Sequence, residues 1–103
     1  MLVLFHRTTA DAAREILTGG FRDSTNKYLT DENYTGIWLS DKPLDINDGA
    51  IGDVLLQITF SFLTEHDLAN FEWFEEGRSH REWLLPAHLV NENATIGLAK
   101  EEA

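Results

Sequence analysis

The apolar positions of this chain fall in short runs, and each run predicts one element. Residues 2–5 are a continuous apolar run, which indicates a buried strand. Thr8 and Thr9 then offer an N-cap, and the glycine pair at 19–20 supplies the stop signal of a helix. Apolar residues recur at helical spacing between these signals, at Ala12, Ala13, Ile16 and Leu17. We therefore expect a strand, a tight turn and a helix, after which Phe21 docks on the core.

The rest of the chain predicts mostly strands. Residues 22–35 are polar and lack any period, so we expect a long loop there. Residues 53–62 alternate between apolar and polar positions over most of their length and form the clearest strand. Further strands are predicted at residues 36–40, 71–74, 81–85, 89–90 and 95–98, and one or two helical turns at residues 44–50. A capping box formed by Thr64 and Asp67 predicts a short helix through Ala69. The sum is a small α+β domain, mostly sheet, with one main helix packed on one face.

Length and composition narrow the class of protein. The chain has 103 residues, so we expect one domain over residues 1–103 with a frayed tail at 100–103. Cysteine is absent from the chain, which excludes disulfides, thiolate metal sites and a thiol nucleophile. No apolar run approaches the roughly 20 residues that cross a bilayer, and the first residues lack the basic start of a signal peptide. These features predict a cytoplasmic protein that does not bind membranes.

The charge balance bears on the partners. The chain carries 18 acidic and 8 basic residues, a formal net charge of −10. Such a chain repels a phosphate backbone, so we do not expect nucleic-acid binding. The acid excess is typical of a solvated surface and also suits a basic protein partner. The four histidines lack metal-ligand spacing, and no phosphate-binding loop or hydrolase motif is present, so no metal is expected.

Two early segments carry groups suited to chemistry, and each also has a plain structural interpretation. His6 ends the first predicted strand, and Thr8 follows on the same side of the chain. Alternatively, His6 is a core-edge residue and Thr8 caps the helix. Trp38 lies in the strand at 36–40 and either stacks on a planar ligand or fills the core. Gly36, before it, allows a close backbone approach.

A third segment opens the strand at residues 81–85. On a strand, His80 and Glu82 point to the same face. A carboxylate in an otherwise apolar strand costs free energy unless it is paired or functional. The plain interpretation is a surface ion pair of Glu82 with Arg78 or Arg81.

In their order and spacing, these segments resemble the ADP-ribosyltransferase superfamily. The resemblance consists of a strand ending in His-x-Thr before a helix closed by Gly-Phe, a Gly-Ile-aromatic-Leu-Ser strand, and a late strand that opens with Glu. It covers about 80 residues, from residue 2 to residue 86. It is greatest to the His-aromatic-Glu branch, which includes diphtheria toxin, the poly(ADP-ribose) polymerases and the RNA 2′-phosphotransferases. The resemblance implies a small split, bent β-sheet domain that uses NAD as substrate and needs no metal.

The resemblance also implies a role for each matching residue. His6 would bind a ribose hydroxyl on the adenosine side of NAD. Thr8, together with the backbone of Arg7, would bind the nicotinamide amide. Trp38 stands where the branch usually has tyrosine and would pack against the nicotinamide. Glu82 stands at the position of the catalytic glutamate.

Other residues complete the implied site. Gly36 and Ser40 flank the nicotinamide-packing aromatic in its strand. His80, two residues before the glutamate, would help to select the acceptor and act as a base toward it. The pyrophosphate of NAD requires cationic donors, and the N-terminal half of the chain supplies them at Arg7, Arg14 and Arg22.

One feature of many relatives is missing. They place a second stacking tyrosine on the helix that follows the aromatic strand, whereas residues 44–51 of this chain contain no aromatic residue. Tyr28 or Tyr34 would have to substitute for it from the predicted loop.

The expected function is NAD-dependent ADP-ribosyl transfer, a glycosyltransferase reaction, to an unassigned acceptor such as a protein. Cleavage of the nicotinamide–ribose bond develops positive charge on the ribose, and the carboxylate of Glu82 would stabilise that charge. Two alternatives stay open. One is a non-catalytic acidic interaction module of the same fold. The other is an RNA 2′-phosphotransferase-like activity, against which the acid balance weighs.

Overall fold

The structure is a computed structural model that describes residues 1–27, 33–44, 52–74, 76–77 and 79–100. The predicted helical turns at 45–50, the aromatic at Tyr28 and the tail at 101–103 lie outside the described residues. The described strands are β1 (Leu2–Thr8), β2 (Ser24–Lys27), β3 (Asn33–Ser40), β4 (Val54–Phe60), β5 (Glu72–Trp73), β6 (Glu82–Leu85) and β7 (Ala94–Leu98). The helices are α1 (Ala10–Gly19) and α2 (Ala87–Asn93), and a 3-10 turn spans Ala69–Phe71.

The strands form one antiparallel sheet in the order β5-β6-β3-β1-β4-β7, and β2 pairs with the first half of β3. The predicted α+β class, with a helix directly after the first strand, is therefore confirmed. β1 and β4 occupy the middle of the sheet and pair along their whole length, from Leu2 opposite Phe60 to Thr8 opposite Val54. None of the helices in the described ranges is long and apolar enough to cross a membrane.

One face of the sheet carries the core. Residues paired across antiparallel strands share a face, so Leu4, Ile58, Leu39 and Trp83 lie on the same side, and each is at most 1% exposed. Helices α1 and α2 add buried side chains to this hydrophobic cluster. Burial of each large side chain stabilises the fold by about 1.5–3 kcal/mol. We call this side of the sheet the core face.

Helix α1 begins and ends where the sequence predicts. Of the two candidate caps, Thr9 is used: its hydroxyl accepts from the N–H of Ala12 at 3.2 Å. Thr8 is unavailable because it is the last residue of β1. Gly20 ends the helix with φ 86°, a conformation that favours glycine, and its N–H donates to Ile16. Phe21 then packs on the core at 4% exposure, as predicted.

The sheet splits between β1 and β3. These two strands share a single registered pair, Phe5 opposite Ser40, although both continue beyond it. Past this pair the backbone ladder is replaced by a side-chain bond, because His6 donates to the carbonyl of Trp38. Beyond Phe5 and Ser40, this side-chain bond therefore joins the two strands in place of registered backbone pairs.

Three sequence predictions are wrong in detail. Residues 22–35 are not one loop, because residues 24–27 pair with residues 33–36. Their polar side chains show no period, so only the backbone pairing reveals the strands. The capping box of Thr64 and Asp67 forms as expected, with the Thr64 N–H donating to Asp67 at 2.8 Å. It leads, however, into hydrogen-bonded turns and the 3-10 turn instead of a short α-helix.

The third error is at residues 89–90, which were expected to be extended and lie in helix α2. Distant groups stabilise this helix. Asp23 accepts from the N–H of Ala87 at 2.8 Å and so caps its first turn. Asn91 accepts from the N–H of Phe21 at 2.8 Å and donates to its carbonyl at 2.9 Å. These contacts span more than 60 residues of sequence, so local propensity does not reveal them.

Asn91 is therefore expected to join α2 to the end of α1. Asn91→Ala removes both bonds and leaves the N–H of Phe21 without a partner, which should lower the free energy of unfolding by about 1–3 kcal/mol in a urea melt. Asn93→Ala, in the same helix, is the matched control, because among the described residues the side chain of Asn93 bonds only to the carbonyl of Leu89, within α2. It should cost well under 1 kcal/mol. Equal losses in the two variants would contradict a tertiary role for Asn91.

Candidate active site

His6 lies at the split and has a defined protonation state. Its Nδ1 is 2.8 Å from the carbonyl of Trp38, and since a carbonyl only accepts, Nδ1 carries the proton. Its ring packs edge-on against Phe21, with centroids 5.2 Å apart. Burial lowers the pKa of His6 below its ordinary value, although the bond to Trp38 acts in the opposite direction. The neutral ring therefore presents Nε2 as a hydrogen-bond acceptor.

A cleft of about 280 Å³ opens beside His6. It is lined by helix α1, the segment that follows it, and β3, through His6, Ala12, Glu15, Ile16, Gly20, Phe21, Arg22, Ile37 and Trp38. This volume is near the lower limit of small-molecule sites, about 300–1,000 Å³. The cleft therefore suits one half of a dinucleotide better than the whole of it.

Glu82 and His80 form a second buried group. Glu82 Oε1 lies 3.5 Å from His80 Nε2, and the two side chains are 11% and 6% exposed. Both neighbours of His80 are anchored to the end of β3. Asp41 exchanges bonds with the backbone of Arg81, and Lys42 donates to the carbonyl of Ser79. His80 is thus held beside the glutamate, on the same side of the chain as predicted.

Strand pairing places this second group relative to the cleft. Ser40 pairs with Glu82 on one side and with Phe5 on the other, so Glu82 lies on the face opposite the core face. His6, one residue beyond Phe5, points to the core face. With strands about 4.8 Å apart, the backbones of Phe5 and Glu82 are about 10 Å apart. The two groups therefore lie on opposite faces of the sheet, about two strand spacings apart.

Trp38 belongs to both groups. Its carbonyl accepts from His6, while the alternation of β3 places its indole on the face of Ser40 and Glu82. There it packs edge-on against Trp73, with ring centroids 5.7 Å apart, and Trp73 pairs with Glu82 in the sheet. Trp38 and Trp73 therefore form an aromatic pair next to the buried carboxylate. The sequence did not suggest Trp73 for this position.

The three predicted phosphate-binding arginines lie in different places. Arg22 lines the cleft. Arg14 lies on the outer surface of α1, with its side chain 76% exposed and 3.5 Å from Asp11. Arg7 donates to the carbonyls of Leu44 and Gly52, so it braces the chain on either side of residues 45–51. Of the three, Arg22 alone faces the cleft of His6.

The remaining predicted site residues, Gly36, Ser40 and Thr8, lie close to backbone atoms of other segments. A Cβ on Gly36 would lie 2.8 Å from the carbonyl of Leu85, which confirms the predicted close approach. Ser40 is buried and donates to the carbonyl of Lys42 at 2.7 Å. The carbonyl of Thr8 packs against Gly52, where a Cβ would lie 2.1 Å away. Thr8 therefore ends β1 at a tight contact, next to the carbonyls that Arg7 binds.

The alternative rim ion pair of Glu82 with Arg81 does not form. Arg81 binds Glu72 through two bonds of 2.9 and 2.6 Å and Glu65 through one of 2.6 Å. Its guanidinium lies 4.8 Å from the ring centre of Trp83. These bonds raise the pKa of Arg81 and lower that of Glu72. Arg81 thus links Glu65 and Glu72 on the core face. Arg78 lies outside the described residues.

Glu15 is a charged residue of the cleft that the sequence pattern did not single out. It shares a face of α1 with Ala12 and Ile16, at spacings of three and one residues. The helical spacing from Ala12 and Ile16 is the signal that places Glu15 on their face. The apolar pattern did not include it because it is acidic.

Within the described ranges, no group of three or more His, Asp or Glu residues is placed to hold a metal ion. Comparisons with protein-family models, curated proteins and solved structures found no match to this chain.

The buried neutral His6 is expected to give a distinct pH dependence of stability. Its pKa is lowered on folding, so the unfolded chain binds more protons as the pH falls below about 6.5, and the free energy of unfolding should fall with it. His6→Gln keeps a donor for the Trp38 carbonyl but does not titrate, so its curve should be flatter between pH 7 and pH 5 in denaturant melts. Asp67 and Glu72, whose pKa values are lowered, respond at more acidic pH. If the free energy of unfolding depends on pH in the same way in the wild type and in His6→Gln, His6 is not neutral in the folded protein.

Proposed function

We propose that this protein is an NAD-dependent ADP-ribosyltransferase that cleaves the nicotinamide–ribose bond. The observation that carries the proposal is the split between β1 and β3. At this split His6, Trp38 and Glu82 stand on three neighbouring strands, and His6 bonds to the backbone of Trp38. A split sheet with these three residue types in this order is what the resemblance to the superfamily implies.

The cleft suits the adenosine half of NAD. Nε2 of His6 can accept a bond from a ribose hydroxyl, and Arg22 can donate to the pyrophosphate. The apolar side chains of Ile16, Phe21 and Ile37 also line the cleft, and a purine could pack against them. Arg14 and the side chain of Arg7 are not needed for this arrangement, because they face outward or bind backbone carbonyls.

The nicotinamide half would extend from the cleft past Trp38 toward the face that carries Glu82. There Trp38 offers a stacking surface, and Trp73 supplies the second aromatic ring that residues 44–51 lack. The bond to be broken would then lie near Glu82, about two strand spacings from β1.

Glu82 and His80 divide the chemistry between them. As the carbon–nitrogen bond breaks, nicotinamide leaves with the bonding electron pair and positive charge develops on the ribose. The carboxylate of Glu82 stabilises that charge, more strongly because it is buried. His80, 3.5 Å from Glu82, takes the proton of the acceptor as the acceptor oxygen or nitrogen bonds to the ribose carbon.

Glu82→Gln should therefore strongly reduce turnover while leaving the fold intact. Nicotinamide release from NAD, followed by chromatography, should fall about 100-fold or more, the scale for one electrostatic stabiliser of a transition state. Glu92→Gln is the control, since Glu92 is an exposed carboxylate on α2, and it should retain full activity. Unchanged release by a folded Glu82→Gln protein would remove Glu82 from the mechanism.

NAD binding should be visible in tryptophan emission. NAD should quench or shift the emission of the wild type, and Trp38→Phe should lose most of this response. The double variant Trp38→Phe, Trp73→Phe should lose all of it, because the remaining Trp83 is fully buried on the core face. A full response in the double variant would place NAD elsewhere. No response of the wild type at millimolar NAD would favour the acidic interaction module.

A further inference from the structure

The cleft beside His6 contains an unusual set of polar groups. Two of them accept hydrogen bonds: Nε2 of His6, and the carboxylate of Glu15 when it is ionised. One donates, the guanidinium of Arg22. Neither Glu15 nor Arg22 has a hydrogen-bond or ion-pair partner in the part of the chain that the structure describes. Two opposite charges that share a cleft without pairing are both available to a ligand.

The direction of Glu15 is set by the helix that carries it. Ala12, Glu15 and Ile16 follow one another on the same face of α1, and all three line the cleft. Ile16 packs against the hydrophobic core and so holds this face toward the cleft. The N-cap at Thr9 and the C-cap at Gly20 fix both ends of the helix. Glu15, an exposed residue, therefore stands at the rim of the cleft on a helix that is capped at both ends.

Two acceptors that line the same cleft suit a ligand group with two donors. A ribose with free 2′ and 3′ hydroxyls offers two adjacent O–H donors, and the phosphate attached to its 5′ carbon can reach a cation. A phosphate on the 2′ oxygen would remove one donor and add negative charge opposite the carboxylate. The neutral ring of His6 cannot compensate for that charge, because its one proton is committed to Trp38.

We propose that Glu15 is a specificity-determining residue that selects an adenosine ribose with a free 2′,3′-diol and rejects a 2′-phosphate. This inference rests on the proposed function and deepens it: the substrate is NAD and not its 2′-phosphorylated form, NADP. The same logic governs ribose recognition by acidic residues in other nucleotide sites.

The test uses fragments of the two dinucleotides and the whole chain. Titration calorimetry with 5′-AMP and with adenosine 2′,5′-bisphosphate should show at least tenfold tighter binding of 5′-AMP. Glu15→Gln should weaken the binding of 5′-AMP and reduce this preference to about threefold or less. The reason is that loss of a charged hydrogen-bond partner lowers affinity about tenfold. Glu15→Lys should reverse the preference. Glu76→Gln, an exposed carboxylate in the turn between β5 and β6, should match the wild type.

Nicotinamide release from NAD and NADP separates this inference from the proposed function. Release from NAD at a much higher rate than from NADP, lost in Glu15→Lys, supports both. Equal release from the two dinucleotides overturns the role of Glu15 and leaves the transferase standing. No release from either, with fragment selectivity intact, overturns the transferase and retains the diol site. Equal affinity of the wild type for the two fragments, or no binding of either, overturns the inference.

Discussion

The hydrogen bond from His6 to the carbonyl of Trp38 is the contact on which the candidate site depends. It spans the place where β1 and β3 stop pairing after Phe5 and Ser40, so it holds together two strands that the backbone ladder no longer joins. An unpaired carbonyl in this position would cost free energy, which the imidazole prevents. The same bond keeps the proton on Nδ1 and leaves Nε2 of His6 as an acceptor at the cleft. The junction of the two strands and the tautomer of His6 therefore depend on one contact.

The charged groups of the protein are divided sharply between surface and interior. Among the described residues, Asp11 and Glu92 are exposed, whereas the side chain of Glu82 lies buried beside His80 and that of Glu72 beside Arg81. Arg81 donates short hydrogen bonds to the carboxylates of Glu65 and Glu72 on the core face. The pair of Glu82 and His80, at 3.5 Å, lies next to two aromatic rings. Burial of a carboxylate costs free energy, so its place beside His80 points to a paired or functional role.

The sequence predicted those helices and strands whose signals lie within a few neighbouring residues. The alternation around residues 53–62, the apolar run at the start and the caps of α1 all predicted elements that the structure contains, because periodicity and capping act within a few residues. The strand pairing of residues 24–27 and helix α2 were missed for the opposite reason. The first lacks any apolar period. The second depends on Asp23 and Asn91, whose partners lie 64 and 70 residues away.

For the site, the sequence by itself determined which chemistry is available: a histidine, a tryptophan and a glutamate on three strands, in an order that suggests NAD. The tertiary structure decided which of these groups meet. It brought Arg22 and Glu15 to the cleft, turned Arg14 to solvent and tied Arg7 to Leu44 and Gly52. It also made Trp73 the partner of Trp38. Residue type and spacing fix the face of a strand or helix, but strand order and register, which depend on contacts far apart in sequence, determine which faces come together.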